Sequence, residues 1–194
     1  MSGNDQMPID SRFLILLSGP VAVGKTTLRD FLSSEHGFCV VRSSSFLLEK
    51  AQREGGAVDR KGLQELGDRM DAETDYRWIV DDVALPSMNA SPGKLRWLVD
   101  AVRKRKQVEH FRRLAGTRVL HVHMTASEEL LRERYEVRRA DDSIGGKAIE
   151  YDAVVAHPNE VASRGLIEIA DAVFDVSGLT TAEIAEQLIA QESR

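Results

Sequence analysis

The sequence predicts an α/β protein built on a parallel sheet with both faces covered by helices, and two observations carry that prediction. Short apolar runs at Phe13–Leu17, Phe38–Val41, Leu95–Val99, Val119–His123 and Ala172–Val176 alternate with longer segments whose apolar residues recur at helical spacing. The first run, Phe13–Leu17, contains no polar residue, as expected of a strand buried on both faces. The helical segments are Lys25–Ser34, Phe46–Arg53, Lys61–Ala72, Tyr76–Leu85, Lys104–Leu114, Ser127–Arg138, Asn159–Ile169 and Thr181–Gln191. Strand and helix in alternation lay parallel strands under crossover helices.

Composition bounds the reading further. A chain of 194 residues fits one domain with a core large enough to need no disulfide. Residues 1–12 are polar and read as a loose N-terminal arm, with 13–194 as a single domain. The first apolar run is too short for a signal peptide or a membrane span, and no membrane role is expected. Cys39 is the only cysteine, which excludes an intramolecular disulfide and a thiolate zinc cluster, and makes the reducing cytoplasm the expected setting. The net charge of -5 argues against coating nucleic acid through the overall field, though it leaves room for local basic patches.

The first strand runs directly into "GPVAVGKTTL". Gly19, Gly24, Lys25 and Thr26 satisfy G-x-x-x-x-G-K-[ST] in the strand–loop–helix setting that the motif requires. Glycines let the backbone fold around an anion, so the amides of Val21, Ala22, Val23, Gly24 and the residues through Thr27 can point inward. The following helix adds its positive end. Lys25 would reach the outer phosphates of ATP, and Thr26 offers a hydroxyl to Mg²⁺. A GTPase should add an acid-x-x-Gly switch after a strand and an Asn/Thr-Lys-x-Asp guanine reader; Asp100 is followed by Ala-Val-Arg with no glycine in the third place, and no such guanine reader exists. An AAA-type ATPase normally needs a longer chain with a second small helical domain. Length and absent motifs favour a kinase.

At the end of the third strand stands Asp100, on the sheet edge where ligands bind in parallel α/β folds. A carboxylate there can organise Mg²⁺ or take a proton, although Asp also caps helices. Arg103 can grip a phosphate bidentately, and Gln107 lies one turn further on the same side. Lys104, Arg105, Arg112 and Arg113 fall opposite the apolar Val108, Phe111 and Leu114, and read as a solvated helix face rather than a nucleic-acid surface.

In "LLRERYEVRRADDS", Arg134 and Arg138 share one helix face, with Arg139 beside them, and "IGG" follows. Such arginines can close over a transferring phosphoryl group, so residues 132–150 are a candidate lid. A surface helix with i,i+4 ion pairs is the competing reading. On the acceptor side, Arg42 and the run Ser43–Ser45, including Ser44, follow the second strand, and Arg60 and Gln64 begin the next long helix, with Arg69 a weaker candidate. The serines serve equally well as helix caps. His157 precedes Pro158 and reads as a helix start. His121 and His123 point to one face of a strand, but no acid or cysteine accompanies them at metal-binding spacing. The stretch Tyr151–Glu160 has no assigned role.

In order, "GPVAVGKTTL", "RKGLQELGDRM", "LVDAVRKRKQVEHFR", "LRERYEVRRADD" and "ADAVFDVSG" resemble the nucleoside and deoxynucleoside monophosphate kinases, and are similar also to dephospho-coenzyme A kinase. The resemblance implies a three-layer P-loop fold whose five-stranded sheet has the order 2-3-1-4-5, a nucleotide-acceptor region and a lid. It implies transfer of the ATP γ-phosphoryl group with Mg²⁺. Lys25 and Thr26 match the phosphate and magnesium residues, Asp100 the strand-end acid, Arg103 the acceptor-phosphate arginine, and Arg134, Arg138 and Arg139 the lid arginines. Asp175–Gly178 matches the loop beside adenine. Two departures concern the acceptor: Asp-Ala-Val-Arg stands where adenylate kinases carry Asp-Gly-Phe-Pro-Arg, and serines replace a threonine-glycine turn. The expected protein is a cytoplasmic kinase, monomeric or homodimeric, acting on a small nucleotide and leaning toward a pyrimidine or modified deoxynucleotide. A hydroxyl acceptor and a nucleotide-binding module docked on nucleic acid are the alternatives.

Overall fold

A computed structural model describes residues 12–141 and 149–192. Five strands form one sheet: β1 (Arg12–Ser18), β2 (Cys39–Val41), β3 (Arg96–Asp100), β4 (Thr117–Thr125) and β5 (Ala172–Asp175). Their order is β2-β3-β1-β4-β5, and every pairing is parallel. This is the order that the resemblance implies. β1 is central, with Leu16 aligned to Val99 on one side and to His121 on the other.

The apolar run of β1 explains the layering. Side chains alternate across a strand, so Phe13, Ile15 and Leu17 enter one core while Leu14 and Leu16 enter the other. The first core is closed by Leu28 and Leu32 of α1 (Lys25–His36) and by Ile184 and Leu188 of α9 (Thr181–Glu192). The second packs Trp97 and Val99 against Leu66 and Met70 of α3 (Arg60–Glu73) and Phe111 of α5 (Arg105–Arg112). Every residue from Phe13 to Leu17 is at most 2% exposed, so this strand is the most completely buried stretch of the fold.

Three segments differ from the sequence expectation. α2 (Ser43–Glu54) starts at the serines, which therefore form its first turn. The helix expected over Tyr76–Leu85 begins late, because Asp75 and Tyr76 both take positive φ (50° and 68°) and turn the chain. It then runs as a wide π turn, Ile79–Ala84, into α4 (Leu85–Ala90). Pro86 lies at the start of α4, and a widened turn ahead of it accommodates the missing N–H and the ring that a regular helix cannot. Finally, Tyr151–Val155 forms a short helix, α7, ahead of α8 (Pro158–Gly165), and a 3₁₀ turn, Leu166–Ile169, completes the segment expected as one helix. α6 (Glu128–Asp141) lies between β4 and α7, and residues 142–148 of the expected lid fall outside the described residues, as do 1–11 of the expected arm. Among the described residues, no helix is long and apolar enough to cross a membrane.

Candidate active site

β1 delivers the chain into the glycine-rich loop at its carboxyl end. Gly19 has φ 134°, and a Cβ there would run into the backbone carbonyl of Met124, so only glycine fits between this loop and β4. Gly24, at φ 102°, turns the chain into α1, whose first amides have no side-chain cap. The loop and the helix start line one cleft, an arrangement that suits an anion. Lys25 folds back over the loop, and its Nζ donates to the carbonyls of Gly19 and Pro20 at 2.7 Å each. Burial pulls the Lys25 ammonium down to about 8, against the opposing pull of Glu160.

Glu160 is an unexpected part of this site. It projects from α8, and its Oε1 accepts from the Val21 N–H of the loop at 2.8 Å. Arg164, one turn on, donates to the same carboxylate at 3.1 Å and is itself tied to Glu128 at 2.9 Å and to the Tyr151 hydroxyl at 3.2 Å. Ser163 Oγ donates to the Gly19 carbonyl at 3.1 Å. The stretch without a role in the sequence thus forms the wall that faces the loop.

A cleft of about 980 Å³ joins the loop to Asp100, Arg103, Gln107, Arg134, Arg138, Gln64 and Ser44. Asp100 ends β3, and its Oδ2 accepts from Arg29 of α1 at 2.6 Å, with both side chains mostly shielded from solvent. Arg29 is a second residue that the sequence reading missed; its placement one turn after Lys25 was the available signal. Among the described residues, Asp100 Oδ1 takes no protein partner, and Thr26 is exposed to the cleft. A hydroxyl and a carboxylate on one cavity are hard oxygen donors, the chemistry that suits Mg²⁺ held partly through its own waters. Arg134 and Arg138 are exposed on one face of α6 and line the cleft together. The charges of Arg103 and Arg138 both reach Lys25. At the far end, Val176, Leu179 and Ile184 give an apolar wall after β5, where the sequence expects adenine.

Beneath the loop, Ser18 bridges the two histidines of β4. His121 Nδ1 lies 3.3 Å from the Ile169 carbonyl and so carries the proton, leaving Nε2 to accept from Ser18 Oγ at 2.7 Å. His123 Nδ1 must then donate to the same oxygen at 2.8 Å. Burial lowers His123 to about 4, so the chain is neutral near pH 7 and supports the loop structurally. His157 caps α8 as its sequence context suggests, with Nδ1 accepting from Asn159 N–H at 3.1 Å. Its Nε2 meets the Gln64 amide at 2.8 Å, which ties α3 to α8 across the cleft.

Several expected site residues are placed elsewhere. Arg42 is exposed at the start of α2 and does not line the cleft. Arg139 pairs with Glu136 at 2.8 Å and Glu150 at 2.6 Å, and it too lies outside the lining. The side chain of Arg60 lies outside the described residues. Gln107 does reach the cleft, but its oxygen already accepts from the Arg103 amide at 2.9 Å, capping α5. Its amide nitrogen donates to Asp71 at 3.2 Å. Asp71 is a third site residue that the sequence reading passed over.

A comparison with known families matches residues 15–152 to the family described as an AAA domain. The matched stretch holds the loop, Asp100 and the α6 arginines. The chain belongs to this family. The sequence favours a kinase over an AAA-type ATPase with a second helical domain, and the matched family together with the kinase-like fold agrees with that. This AAA-domain chain aligns with a protein from Chloroflexus aurantiacus J-10-fl, provisionally described as a kinase, at 16% identity and a TM-score of 0.58, covering 94% of this chain and 97% of that one. It aligns with a sugar kinase from Janibacter sp. HTCC2649 at 14% identity and a TM-score of 0.52, covering 93% of each. At these identities the likeness shows a shared P-loop kinase-like fold. No curated protein sequence matches the chain.

The basic residues of α5 separate as the sequence expects, with one exception. Arg105 pairs with Glu168 at 2.9 Å, Arg112 with Asp171 at 2.7 Å, and Lys106 with Asp75. These acids neutralise the face that a nucleic-acid-binding module would need. Lys104, expected on the solvent side, is instead half-buried and lines the cleft. It precedes the first turn of α5, so the chain is still extended there and the helical face does not apply.

Proposed function

We propose that the protein is an ATP- and Mg²⁺-dependent phosphotransferase acting on a small acceptor. The observation that carries this is one continuous cleft that joins the anion loop, the Asp100 carboxylate and three arginines. The loop amides and Lys25 bind and orient the donor phosphates, while Thr26 and Asp100 are the residues that would hold Mg²⁺. The metal would neutralise charge on the donor phosphates. Arg103, Arg134 and Arg138 neutralise charge on the equatorial oxygens of the moving group. The kinase-like fold and the printed kinase descriptions of its structural neighbours support this reading.

For the acceptor, a nucleoside monophosphate is the reading that the sequence resemblance favours, with its phosphate against Arg103. A hydroxyl acceptor is the second reading, and a specific observation favours it. The acceptor half of the cleft presents Asp68 and Asp71 beside Lys104, and carboxylates there offer acceptors to a hydroxyl donor. With a hydroxyl, its oxygen attacks the γ-phosphorus, the bond to the β-phosphate oxygen breaks to release ADP, and the hydroxyl proton passes to Asp100. An anionic phosphate acceptor needs no such base. Asp100→Asn therefore separates the two classes: with excess Mg²⁺, a hydroxyl acceptor should lose roughly a hundredfold or more in kcat, the scale of a general base. A phosphate acceptor should keep measurable turnover. The measurement is ADP release in a coupled assay.

A further inference from the structure

We propose that Asp71 forms a hydroxyl-binding subsite that recognises the acceptor, a small polyhydroxylated molecule carrying no phosphate on the face that meets α3; this rests on the phosphotransferase reading above. Gln64, Gly67, Asp68 and Asp71 line the cleft and recur at one-turn spacing, so a single face of α3 is presented to it. Asp71 is only 7% exposed, an unusual place for a carboxylate unless it is engaged. One oxygen, Oδ1, is engaged: it accepts from Trp78 Nε1 at 2.8 Å and from Gln107 Nε2 at 3.2 Å.

The other oxygen has no partner among the described residues. It is not sealed in the core either, since among the described residues the one side-chain atom both sealed and without a partner is His110 Nδ1. Asp71 Oδ2 therefore keeps accessible surface on a residue that lines the cleft, and two donors on its twin hold the carboxylate in place. Burial raises the Asp71 carboxyl, and the neighbouring charge of Asp68 adds to that, while Trp78, Gln107 and Lys104 work the other way. A fixed, poorly solvated acceptor oxygen of this kind gains most from a ligand O–H, because leaving it without a donor is costly. Asp68 adds a second carboxylate one turn away, and its Oδ1 already accepts from Asn159 at 3.2 Å. The two acids offer acceptor oxygens that suit hydroxyl donors better than an anion. Leu47 and Leu63 flank it with apolar surface for a carbon skeleton.

The test uses the full chain with Mg·ATP and a panel of glycerol, D-glucose, myo-inositol, AMP and dTMP, reading ADP release and, separately, Mg·ATP binding by calorimetry. Expected is stimulation by at least one polyol and by neither monophosphate. Asp71→Asn should raise the KM of that polyol tenfold or more while the Kd for Mg·ATP stays within twofold. Asp68→Asn, less buried and safer for folding, should raise the same KM by a smaller factor. Stimulation by a monophosphate alone, no stimulation by any polyol, or an unchanged KM in Asp71→Asn overturns the subsite. Absence of Mg·ATP binding to the parent chain would instead overturn the phosphotransferase reading on which it rests.

Discussion

Lys25 shows how a site can be built by withholding solvent. In the ligand-free fold its ammonium has two carbonyls for partners and burial lowers it to about 8. Bound phosphates would supply the missing anion and raise it again. Nucleotide binding should therefore take up a proton wherever free Lys25 is partly neutral, and affinity should fall as pH climbs through about 8. The same shift acts on the free protein with the opposite sign: between about 8 and the ordinary value of 10.5 the unfolded chain binds more protons, so stability from this residue rises with pH. Calorimetric titration of Mg·ATP at pH 8.5, in buffers of different ionisation enthalpy, should show a large fractional proton uptake that nearly vanishes at pH 7. Equal proton balance at the two pH values contradicts this account of Lys25.

Asp100, Lys25 and Thr26 were singled out in the sequence because their chemistry demands fixed residue types just after strands, here β3 and β1. Asp71, Arg29 and Glu160 were not, because their roles arise only when distant segments meet. Val21 and Glu160 are separated by nearly the whole domain in sequence. Arg139 illustrates the opposite error. It follows Arg138 by one position, yet a helix turns by about 100° per residue. That rotation carries Arg139 out of the cleft and toward Glu136 and Glu150.

At the scale of elements, α8 is the part whose behaviour the sequence did not foretell. Its Glu160 carboxylate holds the Val21 N–H, a donor that belongs to the anion concavity, and its His157 and Asn159 reach α3. A carboxylate seated there competes with an incoming phosphate. Replacing its charge while keeping its shape, as in Glu160→Gln, should tighten Mg·ATP binding on the order of tenfold at low salt. Direct binding measured by calorimetry or fluorescence checks this, and weaker binding would instead place Glu160 among the groups that hold the nucleotide. The serine run teaches a related lesson about elements. Expected equally as ligands or caps, Ser43–Ser45 form the first turn of α2 without capping it, and Ser43 and Ser44 line the cleft.

For the whole molecule, the fold was more legible than the site. Five apolar runs became five strands with nearly the expected limits, most plainly β1, whose burial on both faces excludes polar residues from Phe13–Leu17. The order of those strands placed Asp100 and the loop at adjacent strand ends without further assumption. The acceptor half depends instead on side chains from α2, α3 and α5 that no short motif ties together. The central claim is that the loop and Lys25 make this cleft a nucleotide site. It is tested most directly by calorimetric binding of Mg·ATP to the parent chain and to Lys25→Met, with circular dichroism to show that both are folded. The account predicts saturable one-to-one binding by the parent and at least a hundredfold loss in Lys25→Met, about 2.7 kcal/mol on the affinity scale. Equal affinity in the two proteins, or no binding by the parent, contradicts it.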